Sequence, residues 1–213
     1  MSGAAASEAE ADASARSGWQ VSPAMPGDIP AVVDAVSELL RELGGAPPPV
    51  EAMRAAALGL LEDPLAGAVL VAEAGERVVD VRSFGTPTSG LAQEGEVVGV
   101  HSLKTPTNAR DPAAATPVPG SLVGVLAMSW QSAIHIPGRY ALIQDLWVRP
   151  RWRGSGVGAG LLAALFALAR ARGAARVEVG LPRESFAGIA ATEAFYVANG
   201  FTALGPRMRR DLA

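Results

Sequence analysis

Two spacings of apolar residues alternate along this chain, and together they predict both strands and helices. Short apolar runs with strand character lie at 19–21, 68–74, 122–130, 140–148 and 176–179, with further strand material at 201–212. Helical spacing marks 28–43, 50–61, a segment that ends at 172, and 187–199. Asp28 is placed to cap the first helix, and Gly44-Gly45 ends it. The order β-α-α-β-β-β-α-β-α-β predicts a mixed sheet with helices on both faces.

The middle of the chain is less regular. Valine-rich runs at 78–84 and 96–102 predict a hairpin, and 108–120 combines Pro, Ala and Thr without periodicity, which is typical of a loop. We therefore expect an insertion, or a pair of lengthened central strands, at about 76–120. Pro137-Gly138 predicts a turn between two strands. Residues 1–18 are rich in Ala, Ser and acidic residues, and predict a disordered tail before a single domain at 19–213.

Composition excludes several classes of function. The 213 residues are 49% apolar and 18% charged, with a net charge of −3, so no broad basic surface for nucleic acid is expected. Without a signal peptide or an apolar stretch of about 20 residues, we expect a cytoplasmic protein with no membrane partner. The absence of cysteine excludes disulfides, thiolate metal sites and an acyl-cysteine mechanism. His101 and His135 lie far apart and outside any motif, so no metal site is predicted.

The segment with the clearest chemical meaning runs from 145 to 162. A strand ends at Val148, a basic turn follows, and a glycine-rich stretch at 153–158 leads into a helix. Glycines allow the main chain to approach a ligand, and several amide N–H groups at a helix N-terminus form a site for linked phosphates. Arg149, Arg151 and Arg153 are placed to add contacts to phosphate oxygens.

Three ligands use such loops. A nucleoside triphosphate loop needs a lysine after its last glycine, and the only lysine here is the distant Lys104. A dinucleotide loop is matched in spacing by Gly154, Gly156 and Ala159, with Glu178 as the later acid. However, five residues separate the strand end from the first glycine, and too little chain follows for a doubly wound sheet. Coenzyme A is the third ligand.

The pattern Val148-x-Pro150-x-x-Arg153-Gly154-x-Gly156-x-Gly158 resembles the coenzyme A signature of the GNAT N-acetyltransferases. The strand at 143–148 is most similar to the diamine acetyltransferase branch, and 195–201 resembles the second family motif, aromatic-Tyr-x-x-x-Gly-Phe. The resemblance implies an α/β (α+β) GNAT fold with a splayed strand pair, and acetyl-CoA as co-substrate without a metal. It implies coenzyme A contacts from Leu146, Trp147, Val148, Arg153, Gly154, Ser155, Gly156, Val157, Gly158 and Ala159.

The resemblance also implies direct attack by an amine on acetyl-CoA, with Tyr196 as the group that assists the departing thiolate. A free tyrosine has a pKa of about 10 and a thiol about 8.5, so full proton transfer is uphill by roughly 2 kcal/mol and a strong hydrogen bond is expected instead. The base is open, because diamine relatives carry Glu-Asp where this chain has Gln144-Asp145. Asp145, Glu178 and Glu184 are candidates, and strand alternation predicts that Asp145 and Gln144 face opposite sides.

We expect the acceptor to be a small-molecule primary amine, with Arg183 and Glu184 in the long run 180–188 as candidate contacts. Two alternatives stay open. One is a non-catalytic acyl-CoA-binding sensor or assembly module, which the loss of the acid at Gln144 favours. The other is an acetyltransferase that acts on protein N-termini or lysines. A homodimer is an expectation from the family alone.

Overall fold

The computed structural model describes residues 18–75, 120–205 and Arg210. Five strands lie at Trp19–Pro23 (β1), Gly67–Ala74 (β2), Leu122–Ala133 (β3), Ile136–Val148 (β4) and Val177–Val179 (β5). Four α-helices lie at Ile29–Glu42 (α1), Val50–Glu62 (α2), Val157–Ala171 (α3) and Ile189–Ala198 (α4). Short 3-10 helices lie at Pro26–Asp28 and Pro150–Trp152. The hairpin predicted at 78–102, all of the predicted loop 108–120 except Gly120 and all of the predicted tail 1–18 except Gly18 fall outside the described residues.

The strands form one sheet in the order β1-β2-β3-β4-β5. The first four strands pair antiparallel, and β4 pairs with β5 in parallel. A parallel neighbour requires a crossover, and α3 supplies it between β4 and β5. The mixed sheet predicted from the element order is confirmed.

Helices cover both faces of this sheet, and two separate buried clusters show which helix covers which face. On the α3 face, α3 residues such as Leu161, Leu162 and Leu165 pack with Leu126, Met128 and Ile143. On the α1 face, Val32 and Ala35 pack with Val69, Val125 and Trp147. The alternation of side chains along β3 therefore divides the core into two layers.

Three local predictions are wrong. The β3–β4 turn consists of Ile134 and His135, because Pro137 and Gly138 form a bulge inside β4, where the register shifts and Gly138 has a φ of +86°. Residues 201–205 are not a strand. Asp28 does not cap α1: it ends the 3-10 helix in a helical conformation, so its carboxylate accepts a hydrogen bond from the Met25 N–H (2.7 Å).

Candidate active site

The parallel pair β4–β5 opens before β4 ends. β5 pairs only with Ala141, Leu142 and Ile143, whereas β4 continues to Val148 and stays paired with β3 along its other edge. Within the part of the chain that the structure describes, residues 144–148 thus present an edge with no strand partner toward β5. We call this gap the β4–β5 opening; it matches the predicted splayed strand pair and includes Leu146, Trp147 and Val148.

A glycine-rich loop follows directly at the end of the opening. Gly154 and Gly156 both have a positive φ, +78° and +88°, which glycine adopts without the steric cost of a Cβ. The first hydrogen bond of α3 joins the Gly160 N–H to the Gly156 carbonyl (2.9 Å). By helix geometry, the N–H groups of Val157, Gly158 and Ala159 therefore have no acceptor within α3. The structure brings these amides together at a helix end that carries partial positive charge.

Trp19, on the far edge strand β1, supports this loop. Its indole Nε1 donates to the Ser155 carbonyl (3.3 Å), a residue 136 positions away in sequence. The ring lies against Gly156 and Gly160, and a Cβ at Gly160 would overlap it. Sequence reasoning missed Trp19, since no local pattern signals so distant a contact.

Ser155 is held by the loop itself. Its N–H (3.3 Å) and its hydroxyl (2.6 Å) both donate to the Trp152 carbonyl. Both donors of this predicted ligand contact are thus used to shape the turn. Gly158 has a related packing role, because a Cβ there would press on the Phe195 ring of α4 at 3.1 Å.

The three arginines of the basic turn have different surroundings. Arg149 donates twice to the Leu122 carbonyl (3.1 and 2.9 Å) and lies over the Trp147 ring, and its expected phosphate contact stays a prediction. Arg153 donates from Nε to the Val148 carbonyl (3.0 Å) and from Nη2 to both carboxylate oxygens of Glu42 (2.7 and 2.8 Å). Arg151 is exposed. Arg153 therefore links the end of β4 to the end of α1.

Gln144 and Asp145 lie on the same face, contrary to the alternation predicted. The register runs from Met128–Ile143 to Ala127–Asp145, so Gln144 is the extra residue of a bulge. Gln144 donates to Ser129 Oγ (2.8 Å). The residues on either side of Ser129 in β3 pack on the α3 face, so Ser129 and the Gln144 side chain bonded to it lie on the α1 face. Asp145 shares its side with Trp147, whose ring is on the α1 face. The bulge therefore places an amide and a carboxyl side by side on the α1 face, at the β4–β5 opening.

The candidate bases differ in their surroundings. Burial raises the pKa of the Asp145 carboxyl above its usual value. Glu178 lies opposite Leu142, and because Val177 and Val179 pack on the α3 face, its side chain also faces the α1 side. Glu178 Oε1 lies 3.7 Å from Arg176 Nη1. Glu184 is exposed on the segment between β5 and α4.

Tyr196 lies on the opposite face from Asp145. It is only 7% exposed and belongs to the buried cluster of the α3 face. Its ring makes edge contacts with Phe195 and Phe201, each at 5.2 Å between centroids. Burial raises the pKa of Tyr196 to about 12. The hydroxyl is thus a permanent hydrogen-bond donor at neutral pH.

Among residues 18–75 and 120–205, no group of three His, Asp or Glu side chains is arranged to hold a metal ion. His135 is part of the exposed β3–β4 turn. No helix in these same ranges is both long and apolar enough to cross a membrane.

Residues 61–201 match the sequence model of the acetyltransferase (GNAT) family. Similar solved structures include an integron cassette protein from the mobile metagenome of Cole Harbour Salt Marsh (23% identity, 91% of this chain and 90% of that one, TM-score 0.57). A Trypanosoma brucei acetyltransferase (17%, 91% and 99%, 0.54) and an aminoglycoside N-acetyltransferase in complex with CoA (13%, 91% and 94%, 0.59) are also similar. At these identities the likeness shows the fold. No curated protein matches, and nothing in the comparisons distinguishes the diamine branch.

Proposed function

Because this chain belongs to the acetyltransferase (GNAT) family, we propose that it transfers an acetyl group from acetyl-CoA to the nitrogen of a small primary amine. One observation carries this proposal: β4 loses its β5 partner after Ile143 and leads directly into the glycine-rich N-terminus of α3. An unpaired strand edge suits an amide-containing chain, and a helix N-terminus suits linked phosphates. The amide-containing arm and the linked phosphates of coenzyme A would then both contact complementary groups on one continuous surface.

The phosphates would lie against the N–H groups of Val157, Gly158 and Ala159. Positive φ values at Gly154 and Gly156 turn the main chain so that it reaches this helix end. Arg153 uses Nε for the Val148 carbonyl and Nη2 for Glu42, so Nη1 is the group that it would offer to a phosphate oxygen. The main chain of Leu146, Trp147 and Val148 would hold the pantetheine arm, with the Val148 carbonyl already engaged by Arg153.

The candidate base and the candidate hydrogen-bond donor to sulfur would act from opposite faces of the sheet. On the α1 face, Asp145 or Glu178 takes a proton from the ammonium group through water, which frees the nitrogen lone pair. The nitrogen bonds to the thioester carbonyl carbon, the carbon–sulfur bond breaks, and the electron pair leaves with sulfur. The nitrogen, now positively charged, loses its second proton to solvent to give the neutral amide. On the α3 face, Tyr196 donates a hydrogen bond to that sulfur. With a tyrosine pKa of about 12 against about 8.5 for a thiol, full transfer is uphill by about 5 kcal/mol, so the thiolate takes its proton from solvent.

Calorimetry with acetyl-CoA tests the proposed site directly. Gly156→Ala would introduce a Cβ at a φ of +88° within the loop, and we expect about a 10-fold loss of affinity. Gly173→Ala is a matched control, because Gly173 has a φ of +68°, open space around it and a position at the other end of α3. Both variants lose stability, but only Gly156→Ala loses affinity. Absence of any acetyl-CoA binding by the unaltered protein would overturn the proposal.

Gln144 favours a second candidate, the non-catalytic acyl-CoA-binding module. Its amide already donates to Ser129 Oγ, and an amide cannot accept the amine proton. Acetyl-CoA binding without CoA release from any of a panel of amines, unchanged by Tyr196→Phe, would support this module over the enzyme.

A further inference from the structure

A cleft of about 240 Å³ lies between the end of α1 and the segment that connects β5 to α4. Glu42 and Gly44 contribute from the α1 side, and Arg183 and Ser185 from the other side. Its volume is below the usual range for drug-sized ligands, so it suits a small molecule.

Residues that line the cleft are linked to both strands that border the β4–β5 opening. Glu42 binds Arg153, whose Nε binds the Val148 carbonyl at the end of β4. Arg183 belongs to the segment that leaves β5 after Val179, the last residue paired with β4. Since α1 covers the α1 face, the cleft lies on that face, the one that carries Asp145 and Glu178.

The charges of the cleft do not cancel. Its carboxylate, Glu42, is held by Arg153 through two short contacts of 2.7 and 2.8 Å. The Arg183 carbonyl accepts from the Phe186 N–H (2.9 Å), but its guanidinium makes no hydrogen bond or ion pair with any residue that the structure describes. Glu184, the other candidate acceptor contact, does not line the cleft. The wall therefore presents one positive charge without a counterion among the described residues.

Negative charge lies on the two strands that border the opening. Asp145 stands in the bulge beside the opening, and Glu178 stands on β5 opposite Leu142, both directed to the α1 side. A molecule bound with one end in the cleft and the other at the opening would meet a guanidinium at the first end and carboxylates at the second. Such a polarity suits a molecule with an anionic end and an ammonium end.

We propose that the acceptor is an amine that also carries a carboxylate, recognised at Arg183. This inference rests on the proposed acetyltransferase function and assigns its substrate class. A diamine would bring a second positive charge to Arg183, which is unfavourable. Arg183 and the Ser185 hydroxyl can donate to the carboxylate, while Asp145 and Glu178 attract the ammonium group.

The test compares amino acids with their own α-carboxamides, and both with diamines, in a CoA-release assay saturated with acetyl-CoA. We expect the accepted acids to exceed their carboxamides by about 10-fold or more in kcat/KM. Arg183→Gln should abolish that preference through KM, and Arg183→Lys should keep part of it. Arg41→Gln makes the same charge change on an exposed site of α1 outside the cleft, and should retain the preference.

Calorimetry with acetyl-CoA on the same proteins separates the two levels of the proposal. Three outcomes overturn the assignment of Arg183 if the protein still binds acetyl-CoA. They are equal turnover of acid and carboxamide, turnover of diamines or neutral amines alone, and turnover of no acid at all. A preference that survives Arg183→Gln overturns it as well. Failure to bind acetyl-CoA overturns the acetyltransferase proposal instead.

Discussion

The two faces of the sheet form their candidate binding surfaces in different ways. On the α3 face, main-chain amides and the absence of side chains at Gly156, Gly158 and Gly160 shape the surface, with Trp19 and Phe195 packed where a Cβ would otherwise stand. On the α1 face, charged side chains form it, and Asp145, Glu178 and Arg183 come from three separate segments. A main-chain surface depends on glycine spacing in one stretch, whereas a side-chain surface depends on tertiary packing. The variants below alter one face at a time.

Tyr196→Phe should give the largest effect. It removes the donor on the α3 face and keeps the ring contacts with Phe195 and Phe201, so we expect kcat to fall by about 100-fold with unchanged affinity for acetyl-CoA. Steady-state kinetics with the best amine of the panel would measure it. Tyr140→Phe removes the other tyrosine hydroxyl of the chain and should leave kcat unaltered. An unchanged kcat in Tyr196→Phe would remove this residue from the reaction.

Gly160→Ala tests how closely the α3 face is packed. The added methyl group would overlap the Trp19 ring, so we expect the free energy of unfolding to fall by about 2 kcal/mol. Gly59→Ala, within α2 and with open space around it, should instead raise stability by roughly 0.5–1 kcal/mol, because alanine favours a helix over glycine. Urea denaturation distinguishes the two. A Gly160→Ala protein as stable as the unaltered one would contradict the Trp19 contact.

Asp145→Asn tests the α1 face. With Glu178 still able to relay a proton, we expect about a 10-fold loss in kcat/KM. Because burial raises the pKa of Asp145, activity of the unaltered enzyme should fall as pH falls through that raised value, and this limb should be lost or displaced in Asp145→Asn. A pH profile of kcat/KM measures it, and an identical acidic limb in both proteins would assign that limb to another group.

Asp145→Asn should lower activity but raise the stability of the folded protein. The folded protein binds the Asp145 proton more tightly than the unfolded chain does, so this contribution is complete below the unfolded pKa and is lost as pH rises through the folded one. At neutral pH the buried carboxylate therefore lowers stability, and Asp145→Asn should be more stable than the unaltered protein. The difference should shrink toward about pH 3. Asp34→Asn, an exposed change on α1, is the control in denaturation at both pH values.

Glu42→Gln should have the smallest effect. The Arg153–Glu42 pair is partly exposed, with 49% and 34% of the side chains accessible, so its loss should cost less than about 1 kcal/mol and should matter less in high salt. It also frees Arg153, and we expect acetyl-CoA to bind a few-fold more tightly. Glu51→Gln breaks a comparable exposed pair with Arg54 on α2 and should leave affinity unchanged. Weaker binding in Glu42→Gln would show that Glu42 organises the loop.

Prediction succeeded where local chemistry decides the structure. Periodicity located the five strands and four α-helices of the described residues, and glycine spacing located the loop before α3. It failed where a contact or a bulge decides: Pro137-Gly138 forms a bulge instead of a turn, and the Asp28 carboxylate accepts from the preceding Met25 N–H instead of capping α1. Each of these depends on a partner whose position the local sequence does not contain.

The sequence by itself determined the order of elements, the family resemblance and the candidate Tyr196, because apolar spacing and glycine positions act within a few residues. Only the tertiary structure decided that Asp145 shares a face with Gln144, that Trp19 supports the loop at Ser155, and that Arg183 meets Glu42 across one cleft. These arrangements join segments far apart in the chain, and they exist only once strand register and helix packing are fixed.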